Sequence, residues 1–242
     1  MQRELFSWYS PSLKKEMPIA TYGHYGFALL LIPTAAADYL EYERFQMFDH
    51  LAPFVDSGKV KVFSVNSINT ESWLNNDMEP AHKAIRHNDF NHYIFNEVVP
   101  FIRNKTSHET PIITCGASFG ALHAMNLFLH RPDLLAGTIS MSGVYDLTEY
   151  TKGFYDEQVY YNSPIHYVPN LTDHDTLEQI RRGKIIIATG GGAHEDPEAN
   201  RRFSGVLGSK SIPHELDVWG PDIPHDWPTW RKMLPYFLDA RF

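Results

Sequence analysis

Apolar runs and amphipathic stretches alternate along most of the chain. Short runs of consecutive apolar residues are typical of buried strands, whereas apolar residues spaced three or four apart indicate helices that bury one face. Strands are predicted at 27–32, 59–65, 111–115, 136–141, 184–189 and 215–219. Helices are predicted at 45–56, 80–103 and 121–130, after an edge hairpin at 4–25. Strands separated by helices predict an α/β fold, with a mostly parallel central sheet covered by helices on both faces.

The segment Cys-Gly-Ala-Ser-Phe-Gly at 115–120 places Ser118 in a Gly-x-Ser-x-Gly frame between a predicted strand and a predicted helix. A sharp turn from strand to helix forces the serine into a strained backbone conformation, and the flanking glycines leave room for neighbouring backbone. The N-terminus of the following helix favours negative charge beside the hydroxyl. The frame alone is common by chance, but in this setting it makes Ser118 a candidate catalytic nucleophile.

Two later loops carry candidates for the general base and its orienting acid. A nucleophilic serine needs a base, and the base needs a carboxylate to hold it. The glycine-rich loop 190–197 follows a predicted strand and contains two acids, and His225 stands between the last strand and the final helix. Because the carboxyl ends of parallel strands meet at one edge of a sheet, these residues are predicted to converge on Ser118.

Two neighbouring carboxylates compete for the role of the orienting acid. Glu195 is preferred, because it stands three residues after Gly192, a common Gly-x-x-acid spacing. Asp196 directly precedes Pro197, a pattern typical of a residue that caps a helix, and it stays open as the alternative acid. Either carboxylate would hold the His225 imidazole in the tautomer whose other nitrogen faces the serine.

With these residues the chain resembles the serine-esterase branch of the α/β-hydrolase superfamily, related to esterase D and to the enterochelin esterases. The matching segments are 27–34, the turn around Ser118, the loop 190–197 and His-Asp-Trp-Pro-Thr-Trp at 225–230. The resemblance implies a serine–acid–histidine triad and hydrolysis of carboxylic esters without a metal or organic cofactor. It implies no particular substrate, since members of the family differ widely in what they cleave.

The resemblance also implies two backbone N–H groups that stabilise the oxyanion. One belongs to Phe119, the residue after the nucleophile. The other is expected in the loop after the first central strand, Pro-Thr-Ala-Ala-Ala-Asp at 33–38, where many such hydrolases carry a His-Gly pair that this chain lacks. Ala35 is the preferred donor and Ala36 the second choice, and a merely polar turn is the alternative.

The stretch 144–182 lacks a clean period and carries six tyrosines. Hydrolases of this architecture have an insertion here that covers the nucleophile, so we expect a short cap that shapes the substrate pocket. Surface packing of a long connection is the alternative. No internal repeat or linker interrupts the sequence, which predicts one domain over 1–242.

Composition and charge narrow the range of partners. The 242 residues carry a net charge of −8, which argues against nucleic acid or an anionic membrane surface as the main partner. The first residues form no sustained apolar run of the kind a secretion signal needs, and no stretch approaches the roughly 20 apolar residues of a membrane span. The single cysteine, Cys115, excludes an intramolecular disulfide. Together these features predict a cytoplasmic protein.

Thirteen histidines raise the question of a metal site. His82, His87 and His92 recur every five residues, but on a helix this spacing turns each one about 140° from the last. They therefore cannot face one ion. Neither His-Glu-x-x-His nor Cys-x-x-Cys occurs, so no metal is predicted.

The combined features predict a serine hydrolase that cleaves small-molecule carboxylic esters, with short acyl chains favoured, through an acyl-enzyme on Ser118. Two alternatives stay open. An acyltransferase would use the same triad but pass the acyl group to another acceptor. A non-catalytic binding protein of hydrolase fold would keep the pocket without a competent triad. The sequence leaves homo-oligomerisation open.

Overall fold

A computed structural model describes all 242 residues, Met1 to Phe242. At its centre lies an eight-stranded sheet with the order β1-β2-β4-β3-β5-β6-β7-β8. The strands are β1 (Arg3–Ser10), β2 (Lys15–Tyr22), β3 (Phe27–Ile32), β4 (Val60–Val65), β5 (Ile112–Ala117), β6 (Gly137–Met141), β7 (Lys184–Thr189) and β8 (Glu215–Val218). Strand β2 pairs antiparallel with β1 and with β4, and every other adjacent pair is parallel. The sheet confirms the predicted α/β fold.

Ten α-helices surround the sheet. They are α1 (Glu41–Arg44), α2 (Met47–Asp56), α3 (Pro80–Tyr93), α4 (Val99–Lys105), α5 (Phe119–His130), α6 (Glu157–Asn162), α7 (Pro164–Tyr167), α8 (His174–Arg182), α9 (Pro197–Ser209) and α10 (Trp227–Arg241). No helix has both the length and the apolar character that crossing a membrane requires.

Two hydrophobic cores lie on opposite faces of the sheet. In β3, Ala28, Leu30 and Ile32 pack into one core, and Leu29 and Leu31 pack into the other. Helices α3, α4, α5 and α9 cover the first face, and α2 and α10 cover the second. Because both faces of β3 are buried, its sequence is a continuous apolar run rather than an alternating one.

The predicted helix at 80–103 is interrupted in the structure. Helix α3 ends at Tyr93, the wider π-helical turn Ile94–Val98 follows, and α4 continues to Lys105. Pro100 lies just beyond this turn and has no N–H to donate to the carbonyl of Asn96, so the regular hydrogen-bond ladder cannot continue there. The prediction was right about helical structure and wrong about its continuity.

The segment 144–182 contains α6, α7 and α8 and is attached to the helical layer through Asn162 of α6. Asn162 is fully buried, and its side-chain oxygen accepts hydrogen bonds from Asn91 of α3 (2.8 Å) and Asn126 of α5 (2.9 Å). Its side-chain amide donates to the carbonyl of Gln158 (2.9 Å). Buried polar groups that satisfy one another fix the relative position of the elements they join.

Candidate active site

Ser118 lies at the turn between β5 and α5 with φ 55° and ψ −121°, a conformation that residues with side chains rarely adopt. The flanking glycines permit the turn. A Cβ on Gly116 would overlap the carbonyl of Gly120, and a Cβ on Gly120 would lie 2.5 Å from the carbonyl oxygen of Ile32. Strand and helix therefore pack backbone to backbone, and the partly exposed Ser118 lies at the carboxyl end of β5.

Glu195 lies in the loop after β7 with its side chain fully buried. One carboxylate oxygen accepts hydrogen bonds from Ser142 Oγ (2.6 Å) and the Gly190 N–H (3.2 Å). The other lies 3.1 Å from Thr189 Oγ1 and 3.3 Å from His225 Nδ1. Burial raises the pKa of Glu195, but the hydrogen bonds from His225 and Ser142 outweigh it and hold the pKa below its usual value. Glu195 is therefore a carboxylate, and it holds the proton of His225 on Nδ1.

His225 lies between β8 and α10, and its side chain is 23% exposed. Its backbone N–H donates to the carbonyl of Ala193 (3.0 Å), which ties the two loops together. With Nδ1 donating to Glu195, Nε2 is free to accept a proton. The structure thus brings Glu195 and His225 into contact but shows no hydrogen bond between His225 and Ser118. Catalytic hydrogen bonds often become short only when substrate binds.

Asp196, the alternative acid, makes a different contact. Its carboxylate accepts a hydrogen bond from the backbone N–H of Ala199 (2.8 Å) and caps the N-terminus of α9. The residue is exposed, and it makes no hydrogen bond to His225. The structure therefore brings one of the two neighbouring carboxylates to the histidine and places the other at a helix end.

The residues predicted to stabilise an oxyanion lie beside the serine turn. Phe119 is the first residue of α5, where backbone N–H groups have no acceptor within the helix. In the loop after β3, the N–H groups of Ala35 and Ala36 donate no hydrogen bond within the protein, and both residues are exposed. Strand β3 pairs with β5. Three free backbone donors therefore lie at adjacent strand ends.

Two supporting side chains were not singled out from the sequence. Ser142, at the carboxyl end of β6, donates to Glu195 and accepts a hydrogen bond from the indole N–H of Trp230 (2.9 Å). Glu41 accepts hydrogen bonds from the backbone N–H of Thr34 (2.8 Å) and from its hydroxyl (2.5 Å). Ser142 directly follows a predicted strand, and the other candidates also lie in loops after predicted strands, so this position was a usable signal. No comparable signal marks Glu41.

Apolar side chains pack around Phe119. A small buried cluster contains Trp73, Ala84, Phe119, Leu122, Leu147 and Val159. The ring of Tyr150 meets the ring of Phe119 edge-on at 4.8 Å, so the segment 144–182 contacts the residue next to Ser118. A cavity of about 460 Å³ lies elsewhere, between the loop before β3 and the loop before β5. No group of three or more histidine, cysteine, aspartate or glutamate side chains could hold a metal ion.

Comparison with known proteins identifies the family. Residues 46–239 match the model of the family described as "Putative esterase". The chain belongs to this esterase family. It is a carboxylic ester hydrolase of the serine type, as the sequence predicted.

Solved structures similar to the esterase cover nearly its whole length. An S-formylglutathione hydrolase from Staphylococcus aureus is 15% identical with a TM-score of 0.70, over 98% of this chain and 97% of the other. A ferulic acid esterase from the anaerobic fungus Anaeromyces mucronatus is 13% identical with a TM-score of 0.73, over 99% of this chain and 90% of the other. These likenesses support the α/β-hydrolase fold. A comparison with curated protein sequences gave no match to the esterase.

Proposed function

We propose that this esterase hydrolyses small-molecule esters through an acyl-enzyme on Ser118, with His225 as general base and Glu195 as the orienting acid. The observation that carries the proposal is the contact between His225 Nδ1 and the buried Glu195 carboxylate (3.3 Å) at the sheet edge where the Ser118 turn lies. A carboxylate at Nδ1 leaves Nε2 free to accept a proton and stabilises the imidazolium that then forms.

In the proposed mechanism, His225 Nε2 accepts the hydroxyl proton as Ser118 Oγ attacks the ester carbonyl. Backbone N–H groups of Phe119 and of the turn containing Ala35 and Ala36 stabilise the negatively charged oxygen of the tetrahedral intermediate. The imidazolium donates its proton to the departing alcohol. His225 then activates a water molecule, whose attack on the acyl-enzyme releases the acid and restores the serine.

We propose short acyl groups and water as the acceptor. Support for short acyl groups comes from the apolar packing next to the nucleophile, where Trp73 and Leu122 are buried against Phe119 and the Tyr150 ring meets it at 4.8 Å. Support for hydrolysis over transfer comes from the 23% exposure of His225, which leaves its ring open to water. An added alcohol or thiol that takes the acyl group in place of water would favour the acyltransferase.

The proposal is tested by labelling purified protein with a fluorophosphonate, mapping the adduct, and measuring hydrolysis of p-nitrophenyl esters of increasing acyl length. We expect one adduct, on Ser118, and the highest kcat/KM with the shortest chains. Ser118→Ala should abolish labelling and lower kcat about 10⁴- to 10⁶-fold in a folded protein. Wild-type turnover in that variant would show that another residue is the nucleophile.

A further inference from the structure

A chain of buried side chains reaches the loop after β3 from inside the protein. Asn69, which is 1% exposed, donates a hydrogen bond from its side-chain amide to the carbonyl of Ala35 (2.7 Å). The side-chain oxygen of Asn69 lies 2.9 Å from Nε2 of His123, a buried residue of α5. The Ala35 carbonyl is therefore held by an asparagine that is itself held by a histidine.

Hydrogen-bond chemistry determines the tautomer of His123. The Ala35 carbonyl only accepts, so Asn69 must present its NH₂ group there and its oxygen to the histidine. Nε2 of His123 must then carry the hydrogen. Its Nδ1 is left as an acceptor, and this atom is buried without a partner.

The tautomer of His87, a buried residue of α3, follows in the same way. The indole N–H of Trp73 donates to its Nδ1 (2.9 Å), so the hydrogen of His87 is on Nε2, and that atom is also buried without a partner. The rings of His87 and His123 lie 4.4 Å apart, edge to face. One ring therefore has an unused donor and the other an unused acceptor. The structure shows no hydrogen bond between these two atoms, so the rings of His87 and His123 are in packing contact only.

Both histidines are neutral. Each ring is fully buried, and burial lowers the pKa of His123 to about 3 and the pKa of His87 well below its usual value. The rings of Phe90 and Phe119 lie 5.1 and 6.1 Å from the His123 ring. A neutral histidine keeps one donor and one acceptor, which a chain of hydrogen bonds with a single direction requires.

The name buried relay is used below for the hydrogen-bonded pair His123 and Asn69, which reaches the Ala35 carbonyl. We propose that the buried relay positions the peptide between Ala35 and Ala36, which makes the Ala36 N–H the second oxyanion donor. This inference rests on the proposed function. In a trans peptide the carbonyl and the following N–H point in opposite directions. Because Asn69 holds the Ala35 carbonyl from the interior, the Ala36 N–H points to the exposed side of the turn.

Neutral hydrogen bonds suit this role. An oxyanion is stabilised most by donors that are already oriented before its charge develops. The members of the buried relay do not touch the reacting atoms and are positioning residues. Substituting them should lower kcat and leave substrate binding unchanged, because the oxyanion exists only after the serine attacks.

The matched variants are Asn69→Ala and Asn91→Ala. Each removes one buried asparagine, 1% and 3% exposed respectively, but Asn91 contacts Asn162 and not the turn. With a short p-nitrophenyl ester, Asn69→Ala should lower kcat about 10- to 100-fold and change KM less than about twofold. This loss of kcat is somewhat smaller than the loss expected when an entire oxyanion donor is removed. Asn91→Ala should leave kcat near the wild-type value. If the wild type is labelled on Ser118 and Asn69→Ala has the same kcat as the wild type, the relay is wrong and the proposed function is unaffected.

A second measurement needs no variant. Nitrogen-15 NMR of the histidine rings distinguishes the two neutral tautomers and the imidazolium. We expect His87 and His123 to be neutral, with hydrogen on Nε2, from pH 8 to pH 5. Hydrogen on Nδ1 of His123, or an imidazolium at His123 at pH 6, would overturn the relay. A wild type that is neither labelled nor active would instead defeat the proposed function.

Discussion

Two glutamates near the Ser118 turn, Glu195 on the proposed acid side and Glu41 on the proposed oxyanion side, have pKa values shifted in opposite directions. On the acid side, Glu195 receives four hydrogen bonds, and these hold its pKa below the usual value although burial opposes ionisation. On the oxyanion side, Glu41 receives hydrogen bonds only from Thr34. There burial prevails and raises the pKa of Glu41. The number of donors around each carboxylate accounts for the difference.

The histidines differ in their exposure and in their partners. His225 is partly exposed and contacts a carboxylate, whereas His87 and His123 are fully buried and contact none. Burial lowers the pKa of His87 and of His123, and neither residue contacts Ser118 or Glu195. A perturbed pKa indicates an unusual environment, and geometry must decide whether that environment does chemistry.

The largest expected effect separates the two carboxylates. Glu195→Gln should lower kcat about 10⁴-fold, because an amide cannot hold His225 in the required tautomer and stabilise its cation. Glu41→Gln should lower kcat less than about tenfold, since Glu41 accepts hydrogen bonds only from Thr34. Steady-state kinetics on both folded variants checks the pair. Similar losses of kcat in the two variants would show that Glu195 and Glu41 do not have different roles.

A smaller effect is expected from Ser142→Ala. The variant removes a 2.6 Å hydrogen bond to Glu195 and leaves the indole N–H of Trp230 without its acceptor. We expect kcat to fall about tenfold with little change in KM, because groups that orient a catalytic residue typically contribute 10- to 100-fold, as in metal sites. Ser140→Ala is the control, since Ser140 is equally buried but contacts Tyr145 (2.8 Å). Equal kinetic losses in both variants would indicate a general packing effect.

The buried histidines should make the fold sensitive to acid. Between pH 6.5 and about 3, the unfolded chain binds a proton at His123 that the native protein does not. The unfolding free energy should therefore fall as the pH falls, by about 1.4 kcal/mol per pH unit for each such histidine. Urea unfolding at pH 7, 6 and 5 measures this slope. His123→Gln should reduce the dependence of the unfolding free energy on pH by the contribution of one histidine. An unchanged slope in this variant would contradict a neutral His123 in the native protein.

The smallest effect distinguishes the neighbouring acids. Asp196→Ala should lower the unfolding free energy by about 1 kcal/mol through loss of the α9 cap and change kcat less than about twofold. Asp173→Ala is the matched control, because Asp173 caps α8 with the same kind of bond, to the N–H of Thr176 (2.8 Å). A kcat loss of several orders of magnitude in Asp196→Ala alone would make Asp196 the orienting acid.

Local signals explain what the sequence predicted well. The buried strands are short apolar runs, and the predicted strand 184–189 coincides with β7. The Ser118 turn was recognisable because its glycines lie two residues to either side. The interruption near Pro100 was missed, because the apolar spacing of the helix continues through it.

Contacts between residues that lie far apart in the sequence could not be predicted. Ser142 and Glu195 are 53 positions apart, and His123 and Asn69 are 54 apart, so neither pair leaves a pattern in the sequence. The competition between Glu195 and Asp196 could not be resolved from spacing, because the direction in which each side chain points depends on how the loop packs. The catalytic roles of these residues stay predictions until the variants are measured.

The attachment of Asn162 has a consequence for the range of esters. Asn162 joins α6 to α3 and α5 through buried hydrogen bonds, and residues of the same segment contact Phe119. We therefore expect the segment 144–182 to stay packed beside Phe119 and not to open as a hinged cover would. In the proposed function, such a fixed segment would select esters by size and shape before any bond is broken. Broadening the range would require resizing side chains such as Tyr150 rather than loosening a hinge.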